Sequence, residues 1–111
     1  MAKMSKIREA AIGRDCMVRI PNVCNGNPET VVLAHRRISA AGMKSPDTEG
    51  AFCCSACHDA LDGRNYMVPF NREQLYGYHC DGIFRTQAIL KKMGLIVVPG
   101  EKLTKLNVEY M

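Results

Sequence analysis

The sequence predicts a small α+β domain: a strand, a long loop, a returning strand, a cysteine knuckle and a short helix, with further helices at both ends. Three observations predict it. The chain has 111 residues, which suits one domain over 1–111 and leaves no room for two. A β-prone run, Val31-Val32-Leu33-Ala34-His35, precedes a long loop and a second short apolar run, Ala51-Phe52-Cys53. Directly after that run, Cys54-Ser55-Ala56-Cys57 makes a C-x2-C turn that opens a helix, and the chain holds six cysteines in all.

The N-terminal element is a short helix over 3–12, with Met4, Ile7 and Ala11 on one side and Gly13 placed to end it. Lys3, Lys6 and Arg8 form its charged side, read as a solvated face or a phosphate-contacting one. Residues 15–30 read as an irregular loop, because Pro21, Asn25-Gly26 and Pro28 are turn signals. In the strand over 31–35, alternation sets Val31, Leu33 and His35 on one face and Val32 and Ala34 on the other. Gly42, Pro46, Asp47 and Gly50 mark residues 38–50 as a connecting loop. Ser55 is placed to cap a helix from Ala56 to about Leu61, with Gly63 as its stop. A C-terminal helical extension follows over about 70–94, read as one piece from Asn71 to Gly77 and another from Gly82 to Met93. Leu95-Ile96-Val97-Val98 suggests a last strand, and the tail after Pro99 reads as loosely ordered.

Composition narrows the function classes. Hydrophobic residues are 47% and charged residues 23%, a balance that can build a packed core and argues against a disordered chain. No apolar run approaches the ~20 residues needed to cross a bilayer, so no membrane partner is expected. The stretch Met1 to Asp15 carries Lys3, Lys6, Arg8 and Arg14 without an apolar core, unlike a secretory signal, and the expected location is the cytoplasm. Fifteen Lys and Arg against eleven Asp and Glu give +4, a mild excess that permits a nucleic-acid partner without establishing one.

In a reducing compartment, metal ligation explains a cysteine-rich short chain better than disulfides do. Cys54 and Cys57 can both reach one Zn²⁺ from a tight turn, and Cys16 and Cys24 are the pair that would complete a tetrahedral structural site. Their C-x7-C spacing is long, and Arg19-Ile20-Pro21-Asn22-Val23 would have to form a small loop between them. A redox C-x2-C and ordinary buried thiols are the competing readings. Cys53 reads as a strand residue facing away from the ion, with a ligand swap with adjacent Cys54 as the alternative, and Cys80, beside His79, reads as core packing, with a ligand pair of the two as the alternative.

If zinc ties the hairpin to the helix, His35 at the strand end and His58 just after the knuckle converge on one cleft. Asp62, four residues after His58, shares its helix face. Phosphodiester hydrolysis needs such parts: a neutral imidazole to take a proton from water, a divalent ion at the developing charge and guanidinium groups on phosphate. Here those would be His35, an ion at His58 and Asp62, and Arg36 and Arg37.

The pattern Cys16…Cys24…His35…Cys54-Ser55-Ala56-Cys57-His58 resembles the HNH, or ββα-metal, nuclease family over a core of about residues 14–64. The stretches Gly13 to Pro21, Cys24 to Thr30 and Leu33-Ala34-His35 are similar to small lambdoid-prophage proteins of the YbcO type, regarded as HNH-like nucleases. The resemblance implies that His35 is the general base, that His58 binds a catalytic ion (Mg²⁺ or another divalent metal), and that Cys16, Cys24, Cys54 and Cys57 hold zinc. Two departures stand out. Ala34 occupies the place before the first histidine where the family usually has Asp, and no Asn between Arg36 and Gly50 matches the family's middle one. Asp47, Asp59 or Asp62 would replace the missing carboxylate, with Asp62 best placed by helix spacing.

Two functions therefore stand side by side. One is a metal-dependent DNA endonuclease of phage or prophage recombination or DNA processing. The other is a non-catalytic, zinc-stabilised DNA- or protein-binding module, which the missing Asp favours. The C-terminal helix is a candidate surface for a homodimer.

Overall fold

In the computed structural model, residues 4–36, 45–65 and 67–100 are described. Five elements carry the fold: α1 (Lys6–Ala11), β1 (Val32–His35), β2 (Gly50–Cys53), α2 (Ser55–Leu61) and α3 (Arg72–Lys92). Single 3-10 turns, Pro28–Thr30 and Asp47–Glu49, lead into the two strands. β1 and β2 form a two-stranded antiparallel sheet in which Val32 faces Cys53 and His35 faces Gly50. α3 packs on β2 and α1 on β1, so the small sheet is covered from both sides.

All four residues of β2 are buried, and Phe52 and Cys53 are fully inaccessible. Gly50 leaves room for Leu33 on the paired strand: a Cβ there would lie 2.7 Å from Leu33 Cγ, and the leucine side chain would have to shift. The chain before β1 joins this core as well. Met17 N–H donates to Phe52 O at 2.7 Å, which holds the Cys16 loop along the outer edge of β2. Val18 and Ile20 are each 1% exposed, and Val18 lies against α3 at Gly82.

Several expectations need correction. The N-terminal helix starts at Lys6, capped by the Ser5 hydroxyl, which accepts from Arg8 N–H. β1 begins one residue late, at Val32; Val32 is exposed while Leu33 and Ala34 are both buried, since helices cover both faces. The cap of α2 is Cys54, whose sulfur accepts from Cys57 N–H, and Ser55 is the first helical residue. The two C-terminal pieces are one 21-residue helix opened by an Asn71–Gln74 capping box. Gly82 does not open a helix. It lets α3 approach the Cys16 loop, where a Cβ would lie 2.8 Å from Val18 Cγ2. Residues 95–98 form no strand; the chain turns back, with Leu95 and Ile96 N–H groups donating to Leu90 O. Most of the 38–50 loop and the tail beyond Gly100 lie outside the described residues.

Candidate functional site

The four cysteines picked out by spacing meet. Their sulfurs, on Cys16, Cys24, Cys54 and Cys57, all lie within 4.8 Å of one another, with Cys54 and Cys57 fully buried and Cys24 at the rim. None is in a disulfide, and Cys54 Sγ to Cys24 Sγ is 3.8 Å. A tetrahedron with metal–sulfur bonds of about 2.3 Å has edges of about 3.8 Å, so the spacing suits one ion.

Local backbone geometry builds this cluster. Arg19 and Asn22 adopt positive φ, 53° and 61°, which folds the stretch between Cys16 and Cys24 into a compact loop. Val23 and Cys24 N–H groups both donate to Ile20 O, closing it. The loop and the α2 cap then aim backbone N–H groups at the sulfurs: Arg19 and Cys54 at Cys16, Gly26 at Cys24, Ile20 at Cys57 and Cys57 at Cys54. Every sulfur accepts at least one. Such donors stabilise thiolates, the form that binds metal, and they favour the metal-ligand reading over inert core thiols. Burial opposes ionisation in the cluster and pushes the Cys24 thiol up to about 11. Cys53 does not face away as expected. Its thiol is within hydrogen-bonding reach of Cys16 and Cys57, and these contacts with burial push it far up, so it stays protonated beside the cluster.

The histidines also meet. A cleft of about 490 Å³ is lined by Met4, Arg8 and Ile12 from the α1 region, Val31, Val32, Leu33 and His35 from β1 and its approach, and His58 and Asp62 from α2. Antiparallel pairing ends β1 at His35, and the cysteine turn starts α2 so that His58 and Asp62 lie one helical turn apart. His58 Nδ1 and Asp62 Oδ2 are 3.5 Å apart, and Arg64 Nη2 is 3.3 Å from the same oxygen. His35 Nε2 lies 2.6 Å from Asp47 Oδ1. Asp47 also accepts from the Ser5 hydroxyl and faces Arg8; the Ser5 contact first, and then that of His35, hold its carboxyl below the usual carboxylate range.

The remaining expected residues divide. Arg36 is not among the cleft residues; its Nε pairs with Glu49 Oε1 at 2.7 Å. Arg37 lies outside the described residues. Asp59 is not among the cleft residues either; it pairs with Arg64 at 3.3 Å.

Two residues take places that sequence reasoning did not assign: Asp47, named there only as a stand-in carboxylate, and His79. Asp47 meets His35 through the turn ahead of β2, a pairing set by hairpin register that no local motif announces. His79, named from the sequence only as the neighbour of Cys80, is buried in α3 and its Nε2 contacts Ala34 O at 2.9 Å. Burial, its largest influence, pushes its imidazole below the ordinary value, so it is neutral and donates from Nε2. The carbonyl next to His35 is thereby tied to the long helix.

Comparison with known proteins places these features in company. A family model described as "Putative nuclease YbcO" matches residues 5–95. Two proteins of that description, one from Escherichia coli (strain K12) and one from Enterobacteria phage 82, are each 48% identical over 98 residues, covering 84% of this chain and 98% of theirs. A solved chain described as "Structure of a putative bacteriophage protein from Escherichia coli str. K-12 substr. MG1655" superposes with a TM-score of 0.68. It is 47% identical, and the match covers 80% of this chain and all of that one.

Proposed function

The chain belongs to the family described as "Putative nuclease YbcO", and from that premise we propose that it is a metal-dependent DNA endonuclease of the HNH, or ββα-metal, type. Its place would be phage or prophage DNA recombination or processing, in the cytoplasm. The observation that carries the reading is the shared cleft, in which His35 from β1 and His58 and Asp62 from α2 open on the same space. The order β1, β2, α2, with cysteines at the head of the helix, supports the HNH assignment.

Cys16, Cys24, Cys54 and Cys57 would hold a structural Zn²⁺, consistent with four thiols at tetrahedral spacing and the N–H donors around them. His58, with Asp62, would hold the catalytic ion, Mg²⁺ or another divalent metal, which when bound stabilises charge on the scissile phosphate and the leaving oxygen. His35 takes the proton from the attacking water as a new P–O bond forms. Arg8 lines the cleft beside it and grips the scissile phosphate. Arg36 and Arg37, just beyond His35, are assigned to the flanking backbone. Backbone contacts carry no base identity, so cleavage follows DNA shape more than sequence.

Nicking of supercoiled plasmid with Mg²⁺ or Mn²⁺ tests the reading. His35→Ala is expected to slow nicking by on the order of 100-fold or more. Wild-type rates in that variant would refute the role of His35.

One observation favours a second reading. Where the family pattern has Asp, Ala34 offers only a carbonyl, and His79 already occupies it. A non-catalytic, zinc-stabilised DNA- or protein-binding module predicts salt-sensitive DNA binding and no product with any divalent ion.

A further inference from the structure

We propose that Asp47 is a positioning residue for His35, that Ser5 holds Asp47 in place, and that together they make Nδ1 of His35 the atom that accepts the proton. The catalytic consequence rests on the nuclease reading; the pairing does not.

Both oxygens of Asp47 are engaged. Oδ1 lies 2.6 Å from His35 Nε2 and 3.4 Å from Arg8 Nε, and Oδ2 accepts from the Ser5 hydroxyl at 2.5 Å. Ser5 is itself fixed, since its Oγ accepts Arg8 N–H at 3.1 Å as the cap of α1. Asp47 therefore joins the strand that ends in His35 to the helix that forms the far wall of the cleft. Three protein partners thus fix its carboxylate against the His35 ring.

The tautomer follows from donor and acceptor chemistry. The Ser5 and His35 contacts hold the carboxyl low, so it is ionised near neutral pH and can only accept hydrogen bonds. Nε2 must then carry the hydrogen. A neutral imidazole has one N–H, which leaves the lone pair on Nδ1. In the reaction, the water's O–H bond breaks and its proton goes to Nδ1. The water oxygen forms the new bond to phosphorus, the ester P–O bond breaks, and the leaving oxygen is protonated by solvent. The imidazolium that results keeps its Nε2–H against the Asp47 carboxylate, which stabilises its charge.

The test pairs a spectroscopic measurement with a kinetic one on the full-length, metal-loaded protein. Ring ¹⁵N shifts of His35 near neutral pH are expected to show hydrogen on Nε2 in the wild type and a mixture of tautomers in Asp47→Ala. Nicking by Asp47→Ala and Asp47→Asn is expected to fall on the order of 100-fold in kcat with KM for plasmid unchanged, and Ser5→Ala to fall less in the same direction. Metal content and circular dichroism identify any variant that has lost its fold; should Asp47→Ala do so, Asp47→Asn and Ser5→Ala carry both measurements. A wild-type ring protonated on Nδ1, a tautomer indifferent to these substitutions, or an undiminished rate would overturn the proposal. A wild type that nicks with neither ion removes the nuclease reading and with it the kinetic consequence, while the ring shifts still decide whether Asp47 sets the tautomer.

Discussion

The cysteine centre and the histidine cleft share α2, yet they are held by different kinds of interaction. At the cysteine centre, the sulfurs accept backbone N–H groups from two short segments, the Cys16–Gly26 loop and the α2 cap, some within a segment and some across from one to the other. In the cleft, partly exposed side chains are held by side chains from distant segments: Asp47 reaches His35 across 12 residues and Ser5 across 42. The first arrangement needs only two compact backbone segments brought side by side. The second exists only when the strands, α1 and α3 are already in place. The difference teaches that the cleft depends on the packed scaffold, and that an ion held by the four cysteines would tie that scaffold together.

The largest effect expected tests that dependence. Cys57→Ser should lose the ion and, with it, the fold. Structural zinc is worth about 10–16 kcal/mol in small zinc-binding peptides, as much as the whole stability of an ordinary domain. Elemental analysis should give one metal per wild-type chain and none in the variant, whose circular dichroism should be that of an unfolded chain. A folded, metal-free Cys57→Ser would break the comparison. Changes in the cleft should leave the scaffold intact: His35→Ala should lose its nicking rate while retaining its metal, with stability lowered by no more than about 1 kcal/mol for a partly exposed pair.

Smaller effects sharpen the boundary between the two regions. Gly82→Ala presses a methyl against Val18, inside the loop between Cys16 and Cys24, and should destabilise by about 1–3 kcal/mol in a denaturant titration. His79 predicts a pH effect. Burial lowers its value from 6.5, with His58 and His35 adding in the same direction and Asp62 and Ala34 O opposing. The unfolded chain therefore takes up the proton first as pH falls, so stability should drop as pH falls through about 6.5. In His79→Gln, the difference in melting temperature between pH 5 and pH 7 should shrink, with metal release common to both proteins. Gly77→Ala, on the same helix but with nothing within 4 Å of the added carbon, should stabilise by about 0.5–1 kcal/mol.

What the chain alone determined was the local part. C-x2-C on a turn, the returning strand before it and the two loop cysteines were legible because their spacing limits where the sulfurs can go, and the four sulfurs do meet. The convergence of His35, His58 and Asp62 was legible for the same reason, since each sits a short, regular distance from the hairpin or the knuckle. Tertiary structure decided the rest. Gly82 and the polar stretch around His79 looked like a break in the helix, but close approach to Val18 and a buried hydrogen bond to Ala34 make them its inner face. Arg36 is turned to Glu49 and Asp47 to His35 by hairpin register. Register depends on how the two strands bury their side chains against α1 and α3, a long-range condition that no short window of sequence contains.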